Sequence, residues 1–324
     1  MSRDYREKIF HTPVMLNEVV TLLDIKENGV YVDATIGAGG HAQKILEKLG
    51  AGMLIGVDVD TEAIKISSER FRGDERVKLF NTNYSNIDEV LDKVGVKEVD
   101  GILIDAGLSS FALDNPERGF SFQVDGPLDM RMDLNSRFTA KDFLSSVDED
   151  TLAKILKEYG DVPKSHKVAR SIIRRREIGK LNRVSDLVEA IKEAYSTPHK
   201  IPEETRQVFQ AIRIAVNDEL VNLERCLVYG FNRLKVGGRF VVICFHSGED
   251  RIVKRFFSAV SRSVRVQTRD GRVIREDPPM AKQLTPKPLV PTDEEVRQNP
   301  RAKSAKLRAI ERLREGEFTF MEKE

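Results

Sequence analysis

The sequence predicts an α/β protein built on a doubly wound parallel sheet, with an all-helical segment inserted into it. Three observations carry that reading. Over the first hundred residues, short apolar runs alternate with segments of helical spacing. The stretch Tyr31-Val32-Asp33-Ala34-Thr35-Ile36-Gly37-Ala38-Gly39-Gly40-His41 runs from a strand through a glycine turn into a helix start. From Asn115 to about Pro202 the strand pattern stops, and only helical spacing appears until an apolar run returns at Arg239–Phe245.

Taken in order, the chain first offers His11-Thr12-Pro13-Val14 as a helix start, with Thr12 as N-cap and Pro13 at N1. Met15, Val19, Leu22 and Leu23 then recur at helical spacing. Strands are expected at Gly29–Ile36, Met53–Asp58, Val77–Phe80 and Val99–Asp105, alternating with helices at Gly40–Leu49, Thr61–Arg70 and most of Tyr84–Lys93. The insertion should hold helices at Ala140–Ser146, Asp148–Glu158, Pro163–Ile178 and Ser185–Ala194. A single long helix is expected from Glu203 to about Leu234, since Phe209, Ile212, Val216, Leu220, Leu223 and Leu227 fall at steps of three and four. After it come a buried strand at Arg239–Phe245, a helix at Glu249–Val260 and a last sheet strand at Val264–Gln267. Pro278–Pro291 reads as extended, and Asp293–Arg314 as a helical tail. The economical division is a Rossmann-like domain made of residues 1–114 and 203–324, interrupted by a helical subdomain at 115–202.

Composition narrows the class of function. With 324 residues, 40% of them hydrophobic, the chain can bury a sizeable core. The start, Met1 to Lys8, is charged and lacks the apolar stretch of a signal peptide, and no run reaches the roughly 20 residues of a membrane helix. Cys226 and Cys244 are too few for a disulfide framework, and no metal-ligand spacing occurs, so a cytoplasmic protein without a metal is expected. The net charge is only +1, but Lys164–Arg183 carries +7, Arg251–Glu276 +6 and Arg297–Arg314 +6, leaving −18 elsewhere. Such asymmetry points to basic surfaces facing a polyanion, nucleic acid first in line.

The glycine turn admits two cofactors. Gly37, Gly39 and Gly40 let the backbone approach a ligand, and a helix N-terminus stands behind them. A nicotinamide fold would want a third glycine three residues after the second, which this chain lacks. Asp58 closes the second strand, where either cofactor's ribose would need an acid. Asp33 discriminates. Four residues before Gly37, it is unwelcome beside pyrophosphate but suits the ammonium group of S-adenosylmethionine, which the residues therefore favour over NAD. Tyr84 follows the third strand and could stack on adenine, and Asp105 closes the fourth at the edge where ligands of such sheets lie.

With Asp105-Ala106-Gly107-Leu108-Ser109-Ser110, Arg118-Gly119-Phe120-Ser121-Phe122 and Asp125 to Met132, the chain resembles the RsmH (MraW) family of S-adenosylmethionine-dependent methyltransferases of bacterial small-subunit ribosomal RNA. The likeness extends to His11-Thr12-Pro13-Val14-Met15, Phe209 to Leu220, Phe245-His246-Ser247 with Glu249 to Lys254, and Asn299 to Ala309. It implies a class I methyltransferase fold, S-adenosylmethionine as cofactor, and methyl transfer to N4 of one cytidine in the decoding region of 16S rRNA. It also implies cofactor contacts at Gly39, Gly40, His41, Asp58, Tyr84 and Asp105. Ala112 departs from it, standing where the family has a Gln contact; Ala106 and Leu108 (for Leu and Val) and Gly248 (for Leu) depart more mildly.

A cytosine amine has a poorly available lone pair, so a carboxylate accepting its N–H bonds would aid methyl transfer; Asp105 is the candidate. His246, directly after the fifth strand, takes a second catalytic place. Phe111, Phe120 or Phe122 could sandwich a flipped base or simply pack in the loop core. Arg118, Asp129 and Arg131 read as an internal ion-pair network. Lys167, Arg170, Arg174 and Arg175 on the insertion's basic helix are the expected phosphate contacts. Two rivals stand beside this reading: a nicotinamide-dependent oxidoreductase, and a non-catalytic RNA-binding or ribosome assembly factor with a vestigial pocket.

Overall fold

The computed structural model describes residues 13–108, 110–267 and 273–319. His11, Thr12 and Ser109 lie outside them, and with Thr12 the expected cap; the side chain of Phe111 is likewise outside the description. The chain divides into two compact units, Met1–Gly107 with Val221–Glu324, and Leu108–Leu220.

The first unit opens with α1 (Leu16–Leu23), β1 (Val30–Asp33), α2 (Gly40–Lys48), β2 (Met53–Asp58), α3 (Thr61–Arg70), β3 (Val77–Asn81), α4 (Ile87–Val94) and β4 (Val99–Asp105). Buried strands such as β4, with six of its seven residues inside, read as continuous apolar runs because both sheet faces are covered. Asp100 is the exception: it is buried, accepts from Val30 N at 2.9 Å and is paired with Lys235 at 2.7 Å.

The second unit holds α5 (Ser110–Asp114), α6 (Ala140–Ser146), α7 (Glu149–Gly160), α8 (Ser165–Glu177), α9 (Val184–Tyr195) and α10 (Thr205–Asn217). Its core gathers Leu144, Leu152, Leu156, Ile172, Leu187 and Ile212 with Ala112, Phe120 and Met130. Thr139 caps α6 through a reciprocal box with Asp142. Arg118 is buried, donates to the Arg131 and Met132 carbonyls, and stacks over Phe120. Arg131 pairs with Asp129 at 2.6 Å and donates to Ser136 O, so these charges brace the loop from within. Phe122 meets Phe209 edge to face at 5.6 Å. Phe120 is buried in this core, Phe122 packs half-buried against it, and Ala112 is buried there too.

The expected single helix from Glu203 to Leu234 is two helices. Asp218 takes a left-handed conformation (φ 49°), ending α10 and starting α11 (Glu219–Asn232). An aspartate tolerates that conformation better than most side chains. Arg213 clasps Glu219 across the break with two bonds of 2.7 Å.

Back in the first unit come β5 (Leu234–Cys244), α12 (Ser247–Val260), β6 (Val264–Gln267), β7 (Val273–Asp277), β8 (Ala281–Gln283), α13 (Asp293–Gln298) and β9 (Lys306–Arg312). The seven-stranded sheet has the order β3-β2-β1-β4-β5-β9-β8, and β9 runs against its neighbours. Two more expectations are corrected here. Of the expected helical tail, Asp293–Gln298 is helical, but Lys306–Arg312 forms an interior strand, β9, because Arg308 is neutralised by Asp250 at 2.7 Å and Arg312 donates to the Phe231, Asn232 and Leu234 carbonyls. Val264–Gln267 pairs with β7 in a separate two-stranded sheet rather than extending the main one. Among the described residues, no helix is long and apolar enough to cross a membrane.

Candidate active site

Strands β1, β2, β4 and β5 are parallel, so their carboxyl ends share one edge of the sheet. Asp33, Asp58 and Asp105 close the first three, and His246 follows the fourth by two residues. The glycine turn leaves the same edge.

That turn is held from behind. Ser67 Oγ donates to Gly37 O and Arg70 to Ala38 O, each at 2.7 Å, from the last turns of α3. Gly39 has φ 78°, and a Cβ on it would lie 2.6 Å from the Phe71 ring. At Gly40 a Cβ would lie 2.4 Å from Pro13 Cγ. Gly39 thus needs glycine for conformation and space, Gly40 for space alone.

Asp58 Oδ2 accepts from Gly37 N and Oδ1 from Asp60 N, both at 2.9 Å. A third N–H, from Val59, also stabilises the carboxylate, which leaves one of its four lone pairs for a ligand hydroxyl. Burial pushes its pKa up to about 6, against the lowering pull of those three N–H groups. Asp33 is 1% exposed; its Oδ1 accepts from Thr35 N at 3.3 Å, while Oδ2 has no hydrogen-bond partner among the described residues. Burial, reinforced by the negative charge of Asp105 and Asp58, pushes its pKa up to about 8. Thr35 also joins two strands, accepting from Asp105 N at 2.7 Å. Asp105 is half-buried; Oδ1 accepts from Gly107 N at 3.3 Å, and Oδ2 lies 3.7 Å from His41 Nδ1. Tyr84 sits in a one-turn helix directly after β3, half-buried against the apolar layer of the sheet.

His246 caps α12. Its Nδ1 accepts from Glu249 N at 3.4 Å, and its Nε2 lies 3.0 Å from Glu249 Oε1. Glu249 is buried and accepts from Phe245 N at 2.7 Å. Sequence reasoning missed Thr35, Ser67, Arg70 and Glu249. Only Thr35 lies within the glycine motif; the other three bond to distant backbone or to a cap, which no spacing rule reveals.

In the second unit, α8 presents Lys167, Arg170 and Arg174 to solvent at steps of three and four. Arg170 reaches Glu149 at 3.1 Å while staying 74% exposed. Arg175 turns inward instead: it is 15% exposed and bound to Glu193 at 2.8 Å. Arg176 donates to the Leu144 and Val147 carbonyls at the end of α6.

A Rossmann-like sheet in this order, with a glycine turn leaving its first strand, is the frame of S-adenosylmethionine-dependent methyltransferases. The chain belongs to the MraW methylase family, whose sequence profile matches residues 8–313. It is 44% identical to the ribosomal RNA small subunit methyltransferase H of Carboxydothermus hydrogenoformans over 308 residues, 94% of this chain and 98% of that one. The protein of the same name from Geotalea uraniireducens is also 44% identical, with the same coverage. Among solved structures, an O-methyltransferase of Thermotoga maritima is matched with a TM-score of 0.41 at 12% identity, over 97% of this chain and 72% of that one. The chain is therefore a methyltransferase using S-adenosylmethionine, and the nicotinamide alternative falls away.

A native pKa of about 8 at Asp33, against the roughly 4 of an unfolded aspartate, means the folded state binds the extra proton between those values. Stability is then full below about pH 4 and is lost as pH rises through about 8, by at most about 1.4 kcal/mol per pH unit. Asp33→Asn abolishes that loss. In urea titrations the variant should gain on the parent steadily from pH 5 to pH 8; parallel profiles would contradict the assignment.

Proposed function

We propose that this chain transfers a methyl group from S-adenosylmethionine to N4 of a cytidine in the decoding region of 16S rRNA, acting on the small ribosomal subunit in the cytoplasm. The observation that carries the reading is the placing of Asp105 at the sheet edge, one strand from Asp33 and beside the glycine turn. Family membership supports it, as do the printed names of the relatives.

The residues present fit the cofactor. Asp33 Oδ2 is a buried acceptor with no hydrogen-bond partner among the described residues, which suits a cationic group. Gly37, Gly39 and Gly40 leave bare backbone at a helix start, His41 lies beside them, Asp58 retains a lone pair for a ribose hydroxyl, and Tyr84 offers a ring for adenine. When bound, the cofactor supplies a methyl group already activated on a sulfonium.

The protein's remaining task is alignment and management of a proton. Asp105 accepts N–H bonds from the cytosine amine, turning the nitrogen lone pair out of conjugation, and takes up the proton released when the N–C bond forms. His246 serves this site as the cap that fixes the start of α12. Lys167, Arg170 and Arg174 bind RNA phosphates, and Arg175 supports them by holding α8 to Glu193.

Small subunits lacking the modification, incubated with the enzyme and methyl-labelled S-adenosylmethionine, should yield label on N4 of one decoding-region cytidine after digestion and mass spectrometry. Label on a ring carbon, a ribose or another base would overturn the reading. Lys167→Ala with Arg174→Ala should weaken small-subunit RNA binding about 3- to 30-fold and reduce the salt slope by about 2. Calorimetry should find S-adenosylmethionine affinity unchanged; loss of both affinities together would contradict the assignment.

A further inference from the structure

We infer that Glu295 is a positioning residue for methyl transfer, acting through the Val14–Met15 peptide and the ring of His41. The inference rests on the proposed placing of His41 and Asp105 in the methyl-transfer site. All the residues involved belong to the first unit of the fold.

Helix α1 has no side-chain cap of its own. Met15, which precedes it, is 1% exposed and sits in the left-handed region at φ 52°, a conformation that costs about 1 kcal/mol or more for a non-glycine residue. A buried residue kept there needs a partner to hold it. That partner comes from 280 positions later: Met15 N donates to Glu295 Oε1 at 2.6 Å. A carboxylate at this end of α1 also meets the positive end of the helix dipole. Glu295 is itself fixed, since its backbone N donates to Thr292 Oγ1 at 3.1 Å in the cap of α13.

The other end of the same peptide bond is also engaged. Val14 O accepts from His41 Nε2 at 2.9 Å. A carbonyl can only accept, so Nε2 donates its proton to it, and this bond fixes the ring with Nε2 toward Val14. His41 is 6% exposed, and the Pro13 ring fills the space where Gly40 would carry a Cβ, so neither segment has room to slide. The second ring nitrogen is thereby directed at Asp105, with Nδ1 3.7 Å from Oδ2. A peptide group bonded at both ends is polarised along its length, which strengthens each bond. The carboxylate of Glu295 thus sets which nitrogen of His41 stands beside the acid that receives the cytosine amine.

Two variants of the full chain test this. Glu295→Ala removes the acceptor, while Glu295→Gln keeps an oxygen for Met15 N and removes only the charge. With 15N-labelled histidine, the parent should show one His41 species with Nε2 protonated; Glu295→Ala should show a mixture in which Nε2 is partly bare, a shifted tautomer population, and Glu295→Gln the parent pattern. Turnover on small subunits should fall about tenfold in Glu295→Ala with the KM for RNA unchanged, and return to within about twofold in Glu295→Gln. An unchanged His41 spectrum in Glu295→Ala would overturn the relay, as would equal losses in both variants or a shifted tautomer with parental turnover. The tautomer is read without substrate, so failure of the N4-cytidine reading and failure of this inference remain distinguishable.

Discussion

A buried carboxyl group with an oxygen that finds no hydrogen-bond partner among the described residues is costly, and Asp33 is such a group. Asp33 closes β1, with Asp58 on one neighbouring strand and Asp105 on the other. Desolvation and two like charges all oppose its ionisation, which is why its pKa stands near 8. Such a group stabilises nothing in the empty fold; what it favours is a proton or a cation. A sulfonium nucleoside with an ammonium group is a cation of that kind, and in the proposed site its arrival would offset the cost at Asp33.

The surrounding structure keeps that acid in place. Thr35 bonds both to Asp33 and to the backbone of Asp105, so two of the three acids share one strut. Ser67 and Arg70 take the outward carbonyls of the glycine turn, while Asp58 takes the Gly37 N–H from the other side. Behind them, β9 completes the sheet with arginines that are neutralised or hydrogen-bonded rather than solvated. Preorganisation of this kind matters for a reaction whose electrophile needs no further activation, because alignment is then the main contribution left to the protein.

Much of this was legible in the amino-acid sequence because parallel strands write themselves as apolar runs ending in polar residues. The first four strands, the glycine turn and its three acids all followed from that pattern. Asp218 was not legible, since the apolar spacing continues unbroken through it and only a backbone angle separates the two helices. Nor was β9, where Lys306, Arg308, Glu311 and Arg312 suggest a solvated helix until Asp250 and the α11 carbonyls are seen to receive them. Arg175 and Arg174 are adjacent and identical in type, yet one points at Glu193 and the other at solvent, a difference that depends on where α9 packs. Glu295 gave no signal at all, because its partner lies almost the whole chain away.

The central claim is that Asp33 is neutral in the empty enzyme and ionises when the cationic cofactor binds. Calorimetry of S-adenosylmethionine binding at pH 7, in buffers of different ionisation enthalpy, counts the protons exchanged. A group with a pKa of about 8 should release well over half a proton per cofactor bound, and Asp33→Asn should abolish that release. Binding with no proton released, or with a net uptake in the parent protein, would contradict it.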